Sequence, residues 1–378
     1  MKRKITFVIT GLGTGGAEMM LFKLLSRMDK NDFVPEVISM TDYVPLKVIF
    51  DEIGVPVKTL GMRRGVPELK GIYRLVKAFR WSDPDLVQTW MYHADLIGGI
   101  AAKLSGNLSV VWNIRNSNLD PSSSKKTTIM TAKTCAIMSK YLPRKIICCA
   151  EEARRVHEKI GYDSKKITTI PNGFDLDSFK PDPVGRNEVR EELGISKDSF
   201  IVGLVARYDP QKDHKNFVHA AQMFKSLITK VDFVLCGDGI NYDNEELTSM
   251  LDSSGVRDRF HLLGRRSDIP RIVSSFDLKC SSSSYGEAFS NSIGEAMACG
   301  VPCVVTDVGD SAYIVGDTGK VVKPRDSESL CMAWYGFWKM HKDERMNLGN
   351  QARQRILEMF SLDTVVEKYE NIYRDILN

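Results

Sequence analysis

The chain has 378 residues, and its apolar and charged fractions of 43% and 26% are those of a water-soluble globular protein with enough length for two cores. No run of eighteen apolar residues occurs, which excludes a membrane-spanning helix. Eight cysteines without a CxxC pair and six scattered histidines argue against a disulfide framework or a metal centre.

The net charge of +4 is unevenly placed. Through Lys180 there are 28 Lys and Arg against 18 Asp and Glu, and after it 24 against 30, so the first half is basic and suits an acidic partner surface. The opening MKRKITFVIT is basic and then apolar, but the apolar part is short and runs into GLGTGGAE with no cleavage site. A first buried strand and a cytoplasmic chain are expected.

In the first half, apolar runs at 5–9, 34–40, 57–60, 86–89, 110–114, 146–149 and 167–170 alternate with helical patterns, as βαβ units of a parallel sheet do. In such sheets ligands gather beyond the carboxyl ends of the strands, where three motifs fall. Gly11 to Glu18 follows the first strand and opens a helix to about Met28; Gly15 and Gly16 allow close backbone approach. It is not read as a dinucleotide site, which would pair G-x-G-x-x-G with an acidic residue after the second strand. The run Gln88-Thr89-Trp90-Met91-Tyr92-His93 ends another strand, and a helix is expected over 94–104. Trp112 to Ser117 ends a third, where Arg115 and Asn116 either line a site or sit in a surface loop. Two basic helical stretches, 62–80 (Arg63, Arg64, Lys70, Arg74, Lys77, Arg80) and 124–145 (Lys125, Lys126, Lys133, Lys140, Arg144, Lys145), carry interleaved aromatic and aliphatic residues. They suit either an anionic bilayer or packing on the sheet with a solvated basic face. Nucleic acid is not expected, since no binding motif accompanies the charge.

Pro171-Asn172-Gly173 is a turn signal followed by an Asp-, Pro- and Glu-rich stretch, read as a linker over 176–198. Strands are then expected at 200–205, 231–236, 260–263, 278–280, 304–305 and 320–322. The first runs into Arg207 and Lys212, two cations at a strand end. The second ends in Cys236-Gly237-Asp238-Gly239, and the third in Gly264-Arg265-Arg266. Helical patterns at 327–340, 343–359 and 362–377 close the chain, the last with Val365, Val366, Tyr369 and Tyr373 on one face.

The segment GEAFSNSIGEAMACGVPCVVTD holds two carboxylates eight positions apart. With a helix starting near Ser290, Glu287 lies in the loop before it and Glu295 two turns in, roughly 80° round the axis. The N–H groups of Ala288, Phe289, Ser290 and Asn291 then form the positive end of a helix dipole, suited to phosphate.

This segment resembles the E-x7-E signature of the family 4 retaining glycosyltransferases. GGAE, the His93 run, PNGFDLDSFKP and the Arg207–Lys212 pair resemble the same family, so the likeness spans the chain. Asp213 departs from the glycine usual after the lysine. The resemblance implies an α/β GT-B fold, with two Rossmann-like domains facing a cleft: 1–175 on the acceptor side, the 176–198 linker, 199–360 on the donor side, and 361–378 as a helix returning to the first domain. It implies transfer, with retention, of a hexose or N-acetylhexosamine from a nucleotide sugar, UDP-sugar favoured. The acceptor is a glycan hydroxyl, lipid-linked in surface polysaccharide or lipopolysaccharide assembly, at the inner membrane face. No metal or other cofactor is expected, because Arg207, Lys212 and the helix terminus can neutralise the leaving diphosphate.

By resemblance Glu287 and His93 act at the reacting centre, Glu295 holds the ribose, Gly15 and Gly16 face the diphosphate or the acceptor, and Arg266 stands near the base. Trp90, Tyr92, Arg115 and Asn116 are the acceptor-side candidates. The alternative is an inactive nucleotide-sugar-binding or scaffold protein on the same fold, against which the intact Arg207, Lys212, Glu287 and Glu295 speak. A phosphorylase would need a pyridoxal lysine and a longer chain, and an epimerase would lack E-x7-E.

Overall fold

A computed structural model describes residues 2–63, 69–121 and 124–378, the side chain of Leu69 excepted; Arg64 of the first basic stretch lies outside them. The chain forms two compact units, residues 1–173 with 362–378, and residues 174–361.

The first unit holds a seven-stranded, all-parallel sheet: β1 (Arg3–Ile9), β2 (Phe33–Ser39), β3 (Val57–Thr59), β4 (Leu86–Trp90), β5 (Ser109–Ile114), β6 (Lys145–Cys148) and β7 (Ile167–Thr169). Their order is β3-β2-β1-β4-β5-β6-β7. Helices cover both faces, so the strands read as unbroken apolar runs rather than alternating ones; β1, β4 and β5 are buried almost end to end. The order reverses at β1, which makes the β1–β4 edge the switch point where a ligand crevice opens.

The helix Leu362–Leu377 belongs to this unit. Val365, Val366, Tyr369 and Tyr373 repeat at helical spacing and are at most 3% exposed, each contributing about 1.5–3 kcal/mol of apolar burial. Their polar tips are satisfied. Tyr373 donates its hydroxyl to Gln88 in β4, and Asn113 Nδ2 donates to the Tyr369 hydroxyl at 3.0 Å. Asp29 N donates to Glu370 at 2.7 Å, and Arg374 pairs with Asp32 at 2.9 Å.

The second unit holds a six-stranded parallel sheet: β8 (Phe200–Val205), β9 (Val231–Cys236), β10 (Phe260–Leu262), β11 (Leu278–Ser281), β12 (Cys303–Thr306) and β13 (Lys320–Val322), in the order β10-β9-β8-β11-β12-β13. Its switch point is the β8–β11 edge, where Leu278 faces Val202 and Lys279 faces Gly203. The core is aromatic: Phe217, Phe233 and Phe260 gather around Trp334 and one another at centroid distances of 4.9–6.1 Å.

One expectation is corrected. The stretch 176–198 is no open linker. Asp182 caps and Pro183 starts a helix, Pro183–Glu192, that packs into the second unit. Arg186 and Arg190 from this helix clasp the two oxygens of Asp277 at 2.7 and 2.6 Å, and Asp277 also accepts from Ile201 N at the start of β8. All eight cysteines are buried thiols outside any disulfide.

A buried histidine contributes to the acid response of the first unit. His157 Nδ1 lies 2.6 Å from the Ala153 carbonyl, which can only accept, so Nδ1 carries the proton and Nε2 accepts from the Tyr92 hydroxyl at 2.7 Å. Burial pushes its pKa down to about 4. The unfolded chain therefore binds the extra proton first. Stability is full above about pH 6.5 and falls as pH drops toward 4, by about 3 kcal/mol from this group. Urea melts between pH 7 and 4 should show that loss, and His157→Gln should flatten it; equal slopes in the two proteins would count against it.

Candidate active site

In the second unit, β8 exits through Ala206 into a short turn, Pro210–Lys212, and β11 exits into the serine run 281–284. The two exits flank the switch point and are laced together. Ser284 N donates to Gln211 O at 2.8 Å, and Ser282 Oγ to Lys212 O at 2.7 Å. Thr306, at the end of β12, donates to Ser283 O at 2.6 Å. This lacing brings Lys212 Nζ onto Glu287 Oε1, and Ser283 Oγ donates to the same oxygen at 2.8 Å. The two charged side chains are only 18% and 9% exposed, so the pair is shielded from water.

Glu287 is held from behind as well. Gly309 has φ +58, and a Cβ there would run into the Glu287 carbonyl. Asp310 N donates to Ala288 O at 3.0 Å. The helix expected after Glu287 begins at Asn291 with Ser290 as its cap, so Ala288 to Asn291 lead into its amino end. Phe289 is buried between Phe174 and Phe360, at 6.1 and 5.6 Å, so any ligand contact from it is through its backbone. Gly294 lets that helix approach Phe174, since a Cβ would enter the ring. Glu295 is half-buried on the same helix.

Arg207 does not join the Lys212–Glu287 pair. It is 58% exposed and pairs with Asp209 at 3.0 Å. Burial would raise the Asp209 carboxyl, but its bond from Gln211 N, with Arg207 and Lys212, brings it below the usual range, so one carboxylate feels both cations. Arg266 is corrected. Its guanidinium is clamped by Asp268, at 2.8 Å through Nε and through Nη2, and by Glu192 at 2.7 Å, which binds it to the helix Pro183–Glu192 rather than offering it to a base.

Sequence reasoning missed Lys279. It lies in β11 with no exposure, its ammonium 3.2 Å from Ser292 Oγ in the first turn of the Glu295 helix. Burial pushes its pKa down, and Lys212 adds to that. A single charge inside the apolar run 278–280 was the available signal. Ser282 and Ser283 were also missed, because a serine run looks like a plain loop.

In the first unit, Gly15 caps the helix Gly16–Arg27, and the Glu18 carboxylate folds back against it. His93 stands in the first turn of the helix Tyr92–Leu104, at the end of β4 and therefore beside the β1–β4 switch point. It is half-buried, has no partner among the described residues, and burial lowers its pKa, so it is neutral at neutral pH. Met91 before it holds φ +73, an outlier of the kind found at functional turns.

The acceptor-side candidates fare differently. Trp90 is wholly buried beneath the Arg115 guanidinium at 5.0 Å, and Tyr92 is 5% exposed with its hydroxyl on His157, so neither side chain is placed to meet an acceptor. Arg115 ties Asn172 to the Tyr369 hydroxyl, and Asn116 folds into a turn on Asn118.

A model of glycosyltransferase family 4 matches residues 14–178, and one of glycosyl transferases group 1 matches residues 185–355. The chain belongs to the family 4 glycosyltransferases. This glycosyltransferase is 27% identical over 365 residues to the UDP-Gal:alpha-D-GlcNAc-diphosphoundecaprenol alpha-1,3-galactosyltransferase of Escherichia coli, covering 94% of this chain and 92% of that one. It is 30% identical over 221 residues, 57% of this chain and 55% of the relative, to the N-acetyl-alpha-D-glucosaminyl L-malate synthase of Bacillus anthracis. Its fold matches Anabaena Alr3699/HepE, solved in complex with UDP, with a TM-score of 0.86 at 21% identity over 99% of this chain and all of that one.

The shielded ion pair has a measurable signature. Lys212→Met leaves Glu287 without its cation and should cost the second unit about 3 kcal/mol in thermal or urea melts. The double variant Lys212→Met, Glu287→Gln should recover most of that loss. If the single variant melts like the parent, the pair does not hold the loop.

Proposed function

We propose that this glycosyltransferase moves a hexose or N-acetylhexosamine, with retention, from a UDP-sugar to a hydroxyl of a lipid-linked glycan in surface polysaccharide assembly. The observation that carries this is the meeting of Lys212 and Glu287 at the β8–β11 switch point, ahead of a helix amino end. The names of the Escherichia coli relative, with its diphosphoundecaprenol acceptor, and of the UDP complex support the choice of donor and acceptor.

Without ligand, Glu287 neutralises Lys212. An arriving diphosphate replaces that carboxylate as the partner of the lysine, and Arg207 and the N–H groups of Ala288 to Asn291 add to the positive field. Glu287, released, accepts from a hydroxyl of the transferred sugar, and Glu295 from the ribose. Charge then builds on the leaving diphosphate, where these groups stabilise it without a divalent metal. The departing phosphate takes the acceptor's proton as the hydroxyl attacks on the same face. His93 and the Gly15–Gly16 turn border the crevice of the first sheet, on the acceptor side.

The first unit also supplies a surface suited to an anionic bilayer. On the helix Lys126–Met138 and just beyond it, Met130, Ile137 and Tyr141 are 66–68% exposed among Lys126, Lys133 and Lys140. On the helix Leu69–Ser82, Tyr73 and Trp81 are 69% and 76% exposed among Lys70, Arg74 and Lys77. Both helices flank Tyr92–Leu104. No helix among the described residues is long and apolar enough to cross a membrane, so peripheral attachment at the inner face fits a lipid-linked acceptor.

Radiolabelled transfer from UDP-sugars to an undecaprenyl-diphosphate-linked sugar tests this. Lys212→Ala should lower kcat about 10²–10³-fold with the protein still folded, Glu295→Ala should chiefly weaken the donor, and chelator should leave turnover unchanged. Unaltered turnover in Lys212→Ala would remove the charge-neutralisation mechanism.

A further inference from the structure

Beside the Pro210 and Ser284 segments, the second unit has an open pocket of about 420 Å³ that neither Lys212 nor Glu287 lines. Three of its residues are cationic or able to become so: Lys215 and His219, one turn apart on the helix His214–Leu227, and Arg325 before the helix Ser327–Lys339. None of the three has an ion-pair or hydrogen-bond partner among the described residues. By contrast, Arg186, Arg190, Arg257, Arg266 and Arg271 of the same unit are all engaged by carboxylates. The acid in the wall is Asp213, and its carboxylate is already accepting from Asn216 N at 3.1 Å as a helix cap.

Two further observations point to a missing acceptor. Asn216 lines the pocket and is 5% exposed; its Oδ1 accepts from Ser327 Oγ at 2.8 Å, but its Nδ2 donates to nothing. A buried amide donor left so is costly unless a ligand answers it. Arg325 holds φ +60, a conformation a long side chain adopts only against a penalty, and it stands at the rim of the pocket.

We propose that this pocket is a second anion site, taking a phosphoryl group between Lys215, His219 and Arg325 with Asn216 Nδ2 at its floor. Its wall is continuous with the catalytic loop: Ser284 and Pro210 line it, and Ser284 N is bonded to Gln211, the neighbour of Lys212. The phosphoryl group belongs either to a small phosphorylated molecule or to a lipid headgroup, and two arms of one experiment separate these.

In the first arm, inorganic phosphate is titrated into the full-length chain while backbone amide resonances are followed. Lys215, Asn216, Ser284 and Ser327 should shift along one saturating curve. Arg325→Gly and Lys215→Gln should each weaken binding about tenfold. Arg325→Gly is expected to fold at least as well as the parent, because glycine suits that backbone. In the second arm, the chain is floated with phosphatidylcholine vesicles with and without phosphatidylglycerol. Binding to the anionic vesicles that Arg325→Gly weakens several-fold, beyond the share held by the basic helices of the first unit, without saturation by free phosphate, assigns the site to a headgroup. Shifts insensitive to both variants, or no saturable shift together with flotation indifferent to Arg325, overturn the proposal. Because the resonances are residue-resolved and the donor plays no part, failure here is distinct from failure of the transfer assay.

Discussion

The contact between the Lys212 ammonium and the Glu287 carboxylate is the constraint around which the second unit is arranged. Two opposite charges withdrawn from water hold each other strongly, but only where the backbone delivers both to one point. The delivery uses main-chain and hydroxyl bonds from Ser282, Ser283, Ser284 and Thr306, and a glycine at 309 that permits the close approach. Phe289, Phe174 and Phe360 fix the helix that follows. The result is a shielded ion pair set just ahead of a helix amino end.

The two parallel sheets bring this about in the same way. Each reverses its strand order once, β1 against β4 and β8 against β11, and each reversal leaves a crevice beyond the strand ends. The residues with chemistry to offer gather there: Gly15, Gly16 and His93 in one unit, Arg207, Lys212 and Glu287 in the other. The electrostatics differ. In the first unit the helix terminus beside Gly15 already carries Glu18, and His93 is neutral, whereas the second combines two cations, a buried lysine and a helix amino end. That contrast suits a hydroxyl-bearing partner on one side and an anionic one on the other.

Much of this was legible in the sequence. All thirteen strands were legible as short, mostly apolar runs, because both faces of each sheet are covered, although several, such as Leu86–Trp90, Lys145–Cys148 and Leu278–Ser281, have no glycine, proline or aspartate directly after them. The Glu287–Glu295 segment shows its loop, cap and helix in local signals alone. What could not be read depends on residues distant in the chain. Arg266 looks available until Glu192, 74 positions earlier, is folded against it. Trp90 and Tyr92 look like ligand-facing aromatics because an aromatic at a strand end gives the same signal whether it points outward or is buried under Arg115 or against His157. The helix Pro183–Glu192 was missed for another reason: its composition is that of a linker, although the Asp182 cap and Pro183 were there to be read.

The helix Leu362–Leu377 gives the protein an unusual order of assembly. The second unit is one continuous stretch of chain, but the first is split, with Tyr369 and Tyr373 filling its core from the segment that follows the second in sequence. During synthesis the later unit can therefore close on itself while the earlier one still waits for its last piece. Until that piece emerges from the ribosome, Gln88 and Asn113 lack the tyrosine hydroxyls they meet in the finished fold, and the nascent sheet shows an apolar groove to any chaperone within reach.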